Sequence, residues 1–568
     1  MGQYLGTVWS RLRDILIDHS VWERRCIASG AFIAAILWFL PISYDVSQVD
    51  RVLATLVTAQ ASIVAIVFSV SILGVQLVAN RYSARMTTLI TSSISFQRTL
   101  LFLGISIGLD LLLLLQLPVL SPKTTMVGLA VIGGLAVASG IALIQYVEGT
   151  LERSTPEGLL QAYTNQLTAD SYRDQVINSR EQDGALHPMH ELHSFVMSGL
   201  SNGEWATAEN GLIEFERVSQ GIIKELAGRG DLQRTDALAG HYFKTPIQEY
   251  LPRITAQAIE DGESDLARQA VQSIERITET GLKCYYPLLI SSATSGLSRI
   301  IREAPDGEDG DSIRRRCLRV YSNLLTTVVE YPYPKGVVTL LSLYSSQFRK
   351  LLIRDREPWV YRHELEEFFR RSIGPAHKQT VEQYGQYISE LDVDWHNRTQ
   401  SMDAEGIAPY DMLFAYRRYS IEVIGYILNY YSRNEEWPLS PGVLRETWSN
   451  MLSDAISANT GRYSQAVCRW YIDLAYLICQ AGDGNIGEWA VWLEKIEDDH
   501  GSAEMVDDAF NEALEKGMTA AFEGERRNIS SASDSRSFFN KIMDLNPPGM
   551  EAYEDWVEQF HEHVIDHR

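Results

Sequence analysis

Hydrophobic positions follow two regimes along the chain. Up to about residue 147 they come in long unbroken runs; beyond it they recur every three or four residues between short polar knots. The first regime holds four apolar stretches, at 26–42, 52–80, 99–120 and 125–147. The longest, Val52–Asn80, carries no charge and is bracketed by Arg51 and Arg81. At about 1.5 Å per residue a helix of that length crosses a bilayer with turns to spare. Within it Thr55, Ser62, Ser69 and Gln76 stand seven apart, with Thr58, Ala65 and Ile72 between them. Helical periodicity gathers these into one narrow, small and polar stripe on a Val/Ile/Leu/Phe cylinder. Such a stripe is expected to face protein or water. In residues 1–25, Leu5, Val8, Trp9, Leu12, Ile15 and Leu16 share a helical face, with Arg11, Arg13, Asp14 and Asp18 off it. That pattern predicts an amphipathic helix lying at a membrane interface, and no signal-peptide cleavage pattern is present.

The four stretches predict a transmembrane domain of four spans over residues 26–150. The short connections at 43–51 and 121–124 hold only Arg51 and Lys123, whereas Arg11, Arg13, Arg24, Arg25, Arg81, Arg85 and Arg98 fall on the other side. The bias of cytoplasmic segments toward basic residues then places both termini in the cytoplasm of a multi-pass plasma-membrane protein. Gly104-x-x-x-Gly108 in the third span, and Ala130, Gly134, Ala138 and Ala142 in the fourth, have the spacing that lets helix backbones approach. Asp110 sits in the middle of the third span. A carboxylate at that depth is costly to leave facing lipid, so it is expected to meet the polar stripe of the second span. Two roles stay open for it: handling protons or cations, or hydrogen-bonded packing. Arg81 and Arg85, one turn apart, suit an inner-leaflet anchor, or a pair that holds lipid phosphate, a C-terminal helix end or an acidic residue of the body.

The run Phe68–Ile90 resembles a family of bacterial and archaeal membrane proteins of unknown function. Its members combine four N-terminal spans with a large soluble C-terminal region. The resemblance rests on Phe68-Ser69, Gln76-Leu77 and Tyr82-Ser83-x-Arg85; Ala84 stands where proline is usual, and Val75 where leucine is usual. It covers about 100 residues and implies the four-span topology, with no activity attached.

After Glu148 no stretch alternates as a strand would, so the expected class is all-α: a four-helix transmembrane domain followed by a cytosolic α-helical domain. Asn202–Val218 aligns without gaps on Asp261–Ile277; Gly203-Glu204, Ala208, Glu216 and Arg217 recur as Gly262-Glu263, Ala267, Glu275 and Arg276. Gly310–Leu325 is a looser third copy, and Gly-Glu-Trp-Ala recurs at 487–490. A glycine knot between two helical patterns predicts a helical hairpin, and stacked hairpins predict a solenoid-like array over 151–330. Residues 331–568 are expected to form a further helical domain, with a flexible 528–537 and a final acidic helix, Met550–His567.

Composition sharpens this picture. The net charge is −23, yet residues 1–150 hold nine basic against seven acidic residues, so the body carries the acidity. Such a surface repels nucleic acid and anionic headgroups. The preference for arginine over lysine in an acidic chain suits a salt-rich, halophilic cytoplasm. Five scattered cysteines, Cys26, Cys284, Cys317, Cys468 and Cys479, form no disulfide framework and are expected to be reduced thiols. Tyrosine-rich stretches are read as core packing.

Candidate chemistry is sparse. His187, His190 and His193 in His-Pro-Met-His-Glu-Leu-His are weak metal candidates: Pro188 suits a first helical position, which would put His190 and His193 on one face, but the i, i+4 histidine pair of zinc proteases is missing. His561, His563 and His567 are a weaker set near the C-terminus. No phosphate-binding loop, dinucleotide fingerprint or nucleophile elbow is present, so no catalytic site, cofactor or enzyme activity is expected. Arg314-Arg315-Arg316 is expected to be a solvated face. Two functions are open: a membrane-anchored scaffold or sensor whose acidic helical surface binds protein partners, or an oligomeric channel or transporter lined by the second span. The expected partners are the lipid bilayer and a protein, a second copy included, with no nucleic acid.

Overall fold

The computed structural model describes residues 46–81, 94–116, 122–181, 186–232, 239–331, 334–354, 361–390, helical positions between 412 and 427, 437–480, 485–516 and 550–567. These residues are helical or in turns, with no strand among them, so the protein is all-α. The chain divides into two compact units, Met1–Val218 and Ser219–Arg568. The expected interfacial helix of residues 1–25, the apolar stretch 26–42 and the segment 528–537 lie outside the described residues.

The first unit opens with three long helices, α1 (Val46–Arg81), α2 (Ile94–Gln116) and α3 (Pro122–Ser154), each packed on the other two. The helix predicted from Val52 begins earlier, at Val46, because nothing in Val46–Arg51 breaks a helix. Among the described residues one apolar helical stretch, Val49–Ser69, is long enough to cross a membrane; Leu103–Gln116 and Val127–Ile141 are apolar but shorter. Val49 and Leu53 of α1 and Ile132 of α3 form a tight cluster, with Leu113 and Leu114 of α2 against it. Ala130, Gly134 and Ala138 are buried along α3, as small residues at that spacing should be. Gly104 and Gly108 are not the contact face of α2: a methyl group added at either would meet nothing within 4 Å.

At Thr155 the chain leaves α3. The Thr155 hydroxyl caps α4 (Pro156–Thr164) by accepting from the Gly158 amide at 3.1 Å, and Pro156 supplies the first helical residue. α5 (Ala169–Glu181) and α6 (His190–Ser201) follow, and α7 (Trp205–Arg229) runs across the division between the units.

The second unit continues with α8 (Leu251–Glu260), α9 (Ser264–Lys283), α10 (Leu289–Glu303), α11 (Glu308–Glu330) and α12 (Pro334–Arg354). After these come α13 (Arg362–Glu367), α14 (Gly374–Glu390), α15 (Pro441–Ser457), α16 (Arg462–Gln480), α17 (Ile486–His500), α18 (Ala503–Lys516) and α19 (Met550–His567). α9 packs on α8, α10 and α11, and α11 packs on α12.

The aligned segments form the same corner twice. Gly203 and Gly262 both take left-handed backbone, at φ 69° and 79°. The next residue's amide reaches back to a helical carbonyl in each case, Glu204 to Gly199 at 2.8 Å and Glu263 to Ala258 at 2.7 Å. Such a reversal needs a residue without a Cβ penalty at positive φ. Ala208 and Ala267 are then fully buried where the second helix starts to pack. The looser copy differs: Gly310 lies inside the first turn of α11, and Gly307, at φ 120°, makes the turn instead.

Aromatic residues fill the core of the second unit. Tyr471 meets Trp489 edge-on at 5.1 Å, Trp448 meets Trp470 at 6.3 Å, and Tyr344 stacks on Phe368 at 3.5 Å. α19 is tied to α16 by Asp473, which accepts from the Tyr553 hydroxyl at 2.5 Å and pairs with Arg469 at 3.4 Å. Cys317 and Cys468 are buried free thiols whose ionisation burial pushes far up; Cys284 and Cys479 are free and half-buried.

Candidate functional site

The three-helix part of the first unit sorts its polar residues by the helix period. On α1, Val49, Leu53, Gln60 and Val67 make the buried face. Thr55, Ser62 and Ser69 are exposed, and each hydroxyl donates to the carbonyl four residues back, at 2.8, 2.8 and 2.9 Å. Thr58 does the same, to Ala54, and Gln76 is exposed too. The stripe is therefore self-satisfied and turned outward. At about 100° per residue, Gln60 lies nearly opposite Ser62 on the helix wheel.

That geometry corrects the pairing expected for Asp110. Asp110 is fully buried, and the α1 residue beside it is Gln60, not the stripe. The stripe repeats every seven residues on the face away from α2, so none of its hydroxyls is directed at Asp110. The Gln60 carboxamide nitrogen donates to Ser106, one turn before Asp110 on α2, at 3.1 Å. Neither Asp110 oxygen accepts a hydrogen bond, and the Gln60 carboxamide oxygen has no partner either. Ser139 on α3 is another buried hydroxyl without one. Arg81 ends α1, and Arg85 lies outside the described residues.

The histidine set is spread over a turn and a helix start. α6 begins at His190 with Met189 as its cap, so Pro188 precedes the helix rather than opening it. The His187 Nδ1 accepts from the Met189 amide at 3.2 Å, and the ring meets Tyr172 edge-on at 5.7 Å. His190 lies 3.3 Å from the Ser194 hydroxyl. The His190 and His193 rings do share a side, with centroids 6.1 Å apart. Among the described residues no three His, Cys, Asp or Glu side chains gather as metal ligands. His561 instead pairs with Asp507 at 2.9 Å and stacks on Phe510.

Two further places hold polar groups together. An open groove of about 550 Å³ between α4 and α7 is lined by Glu157, Gln161, Asn165, Asn210, Glu214 and Arg217, with Arg217 already paired to Glu214 at 2.6 Å. In the second unit Arg314 is buried, which corrects the expectation of a solvated face. It bonds Asp311 at 2.6 Å, the Ala304 carbonyl at 2.7 Å and Asp306 at 3.2 Å, while Tyr361 donates to Asp311 at 2.9 Å. Its neighbour Arg316 pairs with Glu275, which also accepts from Asn323 at 2.5 Å. These groups bond one another, with the Arg314 Nε left without a partner, and tie α9, α11 and the start of α13 together. No catalytic constellation stands out in either place.

His377 was not singled out by the sequence. It is fully buried on α14, 2.9 Å from the Tyr463 hydroxyl through Nε2, with its ring against Tyr463 and Tyr416. Burial pulls its pKa down from 6.5 to about 3, so it is neutral at physiological pH.

The class these features define is an all-α protein with an apolar three-helix unit and a body of helical corners. No known protein family and no curated protein matches the chain. The resemblance carried by Phe68-Ser69, Gln76-Leu77 and Tyr82-Ser83-x-Arg85 therefore stands on those residues alone. Among solved structures the chain is similar to a circular tandem repeat protein with novel repeat topology and enhanced subunit contact surfaces. The identity is 11%, covering 82% of this chain and 99% of that one, with a TM-score of 0.36. A likeness at that level carries no argument here.

Proposed function

We propose that the protein is a membrane-anchored helical scaffold or sensor, its three described apolar helices and the stretch 26–42 forming four spans. Its acidic body would bind protein partners on the cytoplasmic side. One observation carries the anchor: the three-helix part buries its carboxylate and several other polar groups while large apolar side chains stand exposed on its outside. Gln60, Ser106, Asp110 and Ser139 are buried, while Leu115, Ile66 and Ile144 are 75%, 62% and 60% exposed. A water-facing unit would expose the carboxylate and bury the leucines, because apolar area exposed in such a patch costs about 25 cal/mol per Å². A hydrocarbon surround removes that cost and favours the reverse.

A second reading has its own support. The Thr55, Ser62 and Ser69 stripe faces away from the three-helix contacts, where a second copy or a shared pore axis would meet it. The full chain reconstituted in nanodiscs and weighed by mass separates the two readings. A ring of several copies whose liposomes conduct an ion favours the channel, and a monomer or dimer without flux favours the scaffold. Alkaline carbonate extraction of native membranes tests both at once: the chain should stay in the pellet, and its release would remove the anchor.

A further inference from the structure

We propose that Asp110, Gln60 and Ser106 form a proton-binding site inside the three-helix part. The bound proton sits on Asp110 and is donated to the Gln60 carboxamide oxygen, while the carboxamide nitrogen donates to Ser106. The inference goes beyond the anchoring function and does not depend on it, because the helices themselves enclose Asp110 completely.

Three observations converge. Both Asp110 oxygens are buried and no partner meets them in good hydrogen-bond geometry, so an ionised carboxylate would have at most the Gln60 amide as a donor. A buried charge in that condition costs far more than a neutral acid. The Gln60 carboxamide is the polar group beside Asp110, and one N–H of its nitrogen goes to Ser106 at 3.1 Å. Its oxygen is a buried acceptor without a partner, and a protonated Asp110 supplies the missing donor, which an ionised one cannot. Finally, no counterion is at hand among the described residues of the three helices. The α1 face offers Gln60, α2 offers Ser106, and the apolar stretch of α3, Val127–Ile141, contains no charged residue. The charged residues of these helices stand toward their ends: Asp50, Arg51 and Arg81 on α1, Arg98 on α2, and Lys123, Glu148, Glu152 and Arg153 on α3. With the proton in place, Asp110 and Ser106 both bond Gln60, and α1 is fastened to α2 at a fixed register.

Infrared spectroscopy of the purified full chain, in micelles or in buffer, tests this at pH 7. A protonated carboxyl has its own C=O band, separate from carboxylate. The wild type should show such a band, Asp110→Asn should lack it, and Gln60→Leu should shift it. Asp110→Asn, which keeps a donor toward Gln60, should leave the thermal midpoint where it is. Asp110→Ala supplies no donor and should lower it. If Asp110→Asn removes a carboxylate band instead, the proposal is overturned. It is also overturned if the protonated band disappears when sodium replaces choline at constant pH, which would make this a cation site. A misfolded Asp110→Asn leaves the Gln60→Leu shift as the deciding measurement: no shift in a folded protein would disconnect the two residues.

Discussion

At the scale of single residues, what matters is where each polar atom finds its partner. Arg314 and His377 make the point from opposite sides. Arg314 keeps its charge in the interior because Asp311, Asp306 and the Ala304 carbonyl surround it. Against the His377 ring stand Tyr463 and Tyr416, no carboxylate among the described residues shifts it, and burial holds the ring neutral with a pKa near 3. The pH consequence has a definite sign. Above about pH 6.5 the ring is neutral folded and unfolded, and it adds no pH dependence. As pH falls from 6.5 toward 3 only the unfolded state takes up the proton, so stability is lost progressively across that window, by on the order of a few kcal/mol. Burial moves Asp454 the other way, raising it to about 6 against a counteracting Lys378, so the total acid profile is a sum of opposed effects. His377 is therefore read by difference. His377→Gln should flatten the drop in urea midpoint between pH 7.5 and 5 relative to wild type, and an unchanged drop would clear the residue.

Elements are decided by backbone conformation and close approach, and three glycines separate the cases. Gly262 turns the α8–α9 corner at φ 79° with open space around it, so Gly262→Ala should cost only the left-handed strain, about 1–2 kcal/mol. Gly296 in α10 has ordinary helical backbone, but a Cβ there would lie 2.4 Å from the Ile247 carbonyl oxygen. Gly296→Ala must push α10 off the short π-helix Pro246–Tyr250 and should cost more, about 3 kcal/mol. Gly221 in α7 has neither constraint. Gly221→Ala should stabilise by about 0.5–1 kcal/mol, because alanine is the better helix former. Chemical denaturation of the three variants gives the ordering, and equal effects would mean that the corner and the close approach are not what hold these elements.

For the molecule as a whole the reading is one of opposed surfaces: an apolar exterior on the three helices of the first unit and an acidic chain after them. If the first is membrane-embedded with both ends inside, single cysteines at Gln48 and Thr124, on a background with the five native cysteines replaced, should react with an impermeant thiol reagent added outside intact cells. One at Ser531 should react only after lysis. Labelling of position 531 in intact cells would reverse the topology.

Sequence periodicity alone was enough for the helical class, for the apolar character of α1 to α3, for the final helix at Met550–His567 and for the repeated corner at Gly203 and Gly262. These are local properties: a helix face repeats every three or four residues, and a left-handed turn asks for glycine wherever it occurs. It was not enough for partners. The polar stripe at Thr55, Ser62 and Ser69 was the visible signal on α1, yet the fold turns it outward and sets the inconspicuous Gln60 beside Asp110. Burial of Arg314, the His377–Tyr463 contact and the tie from Tyr553 to Asp473 join residues 86 and 80 positions apart or depend on which helix lies overhead. Periodicity states which residues share a face; only the packing of one helix on another states what that face meets.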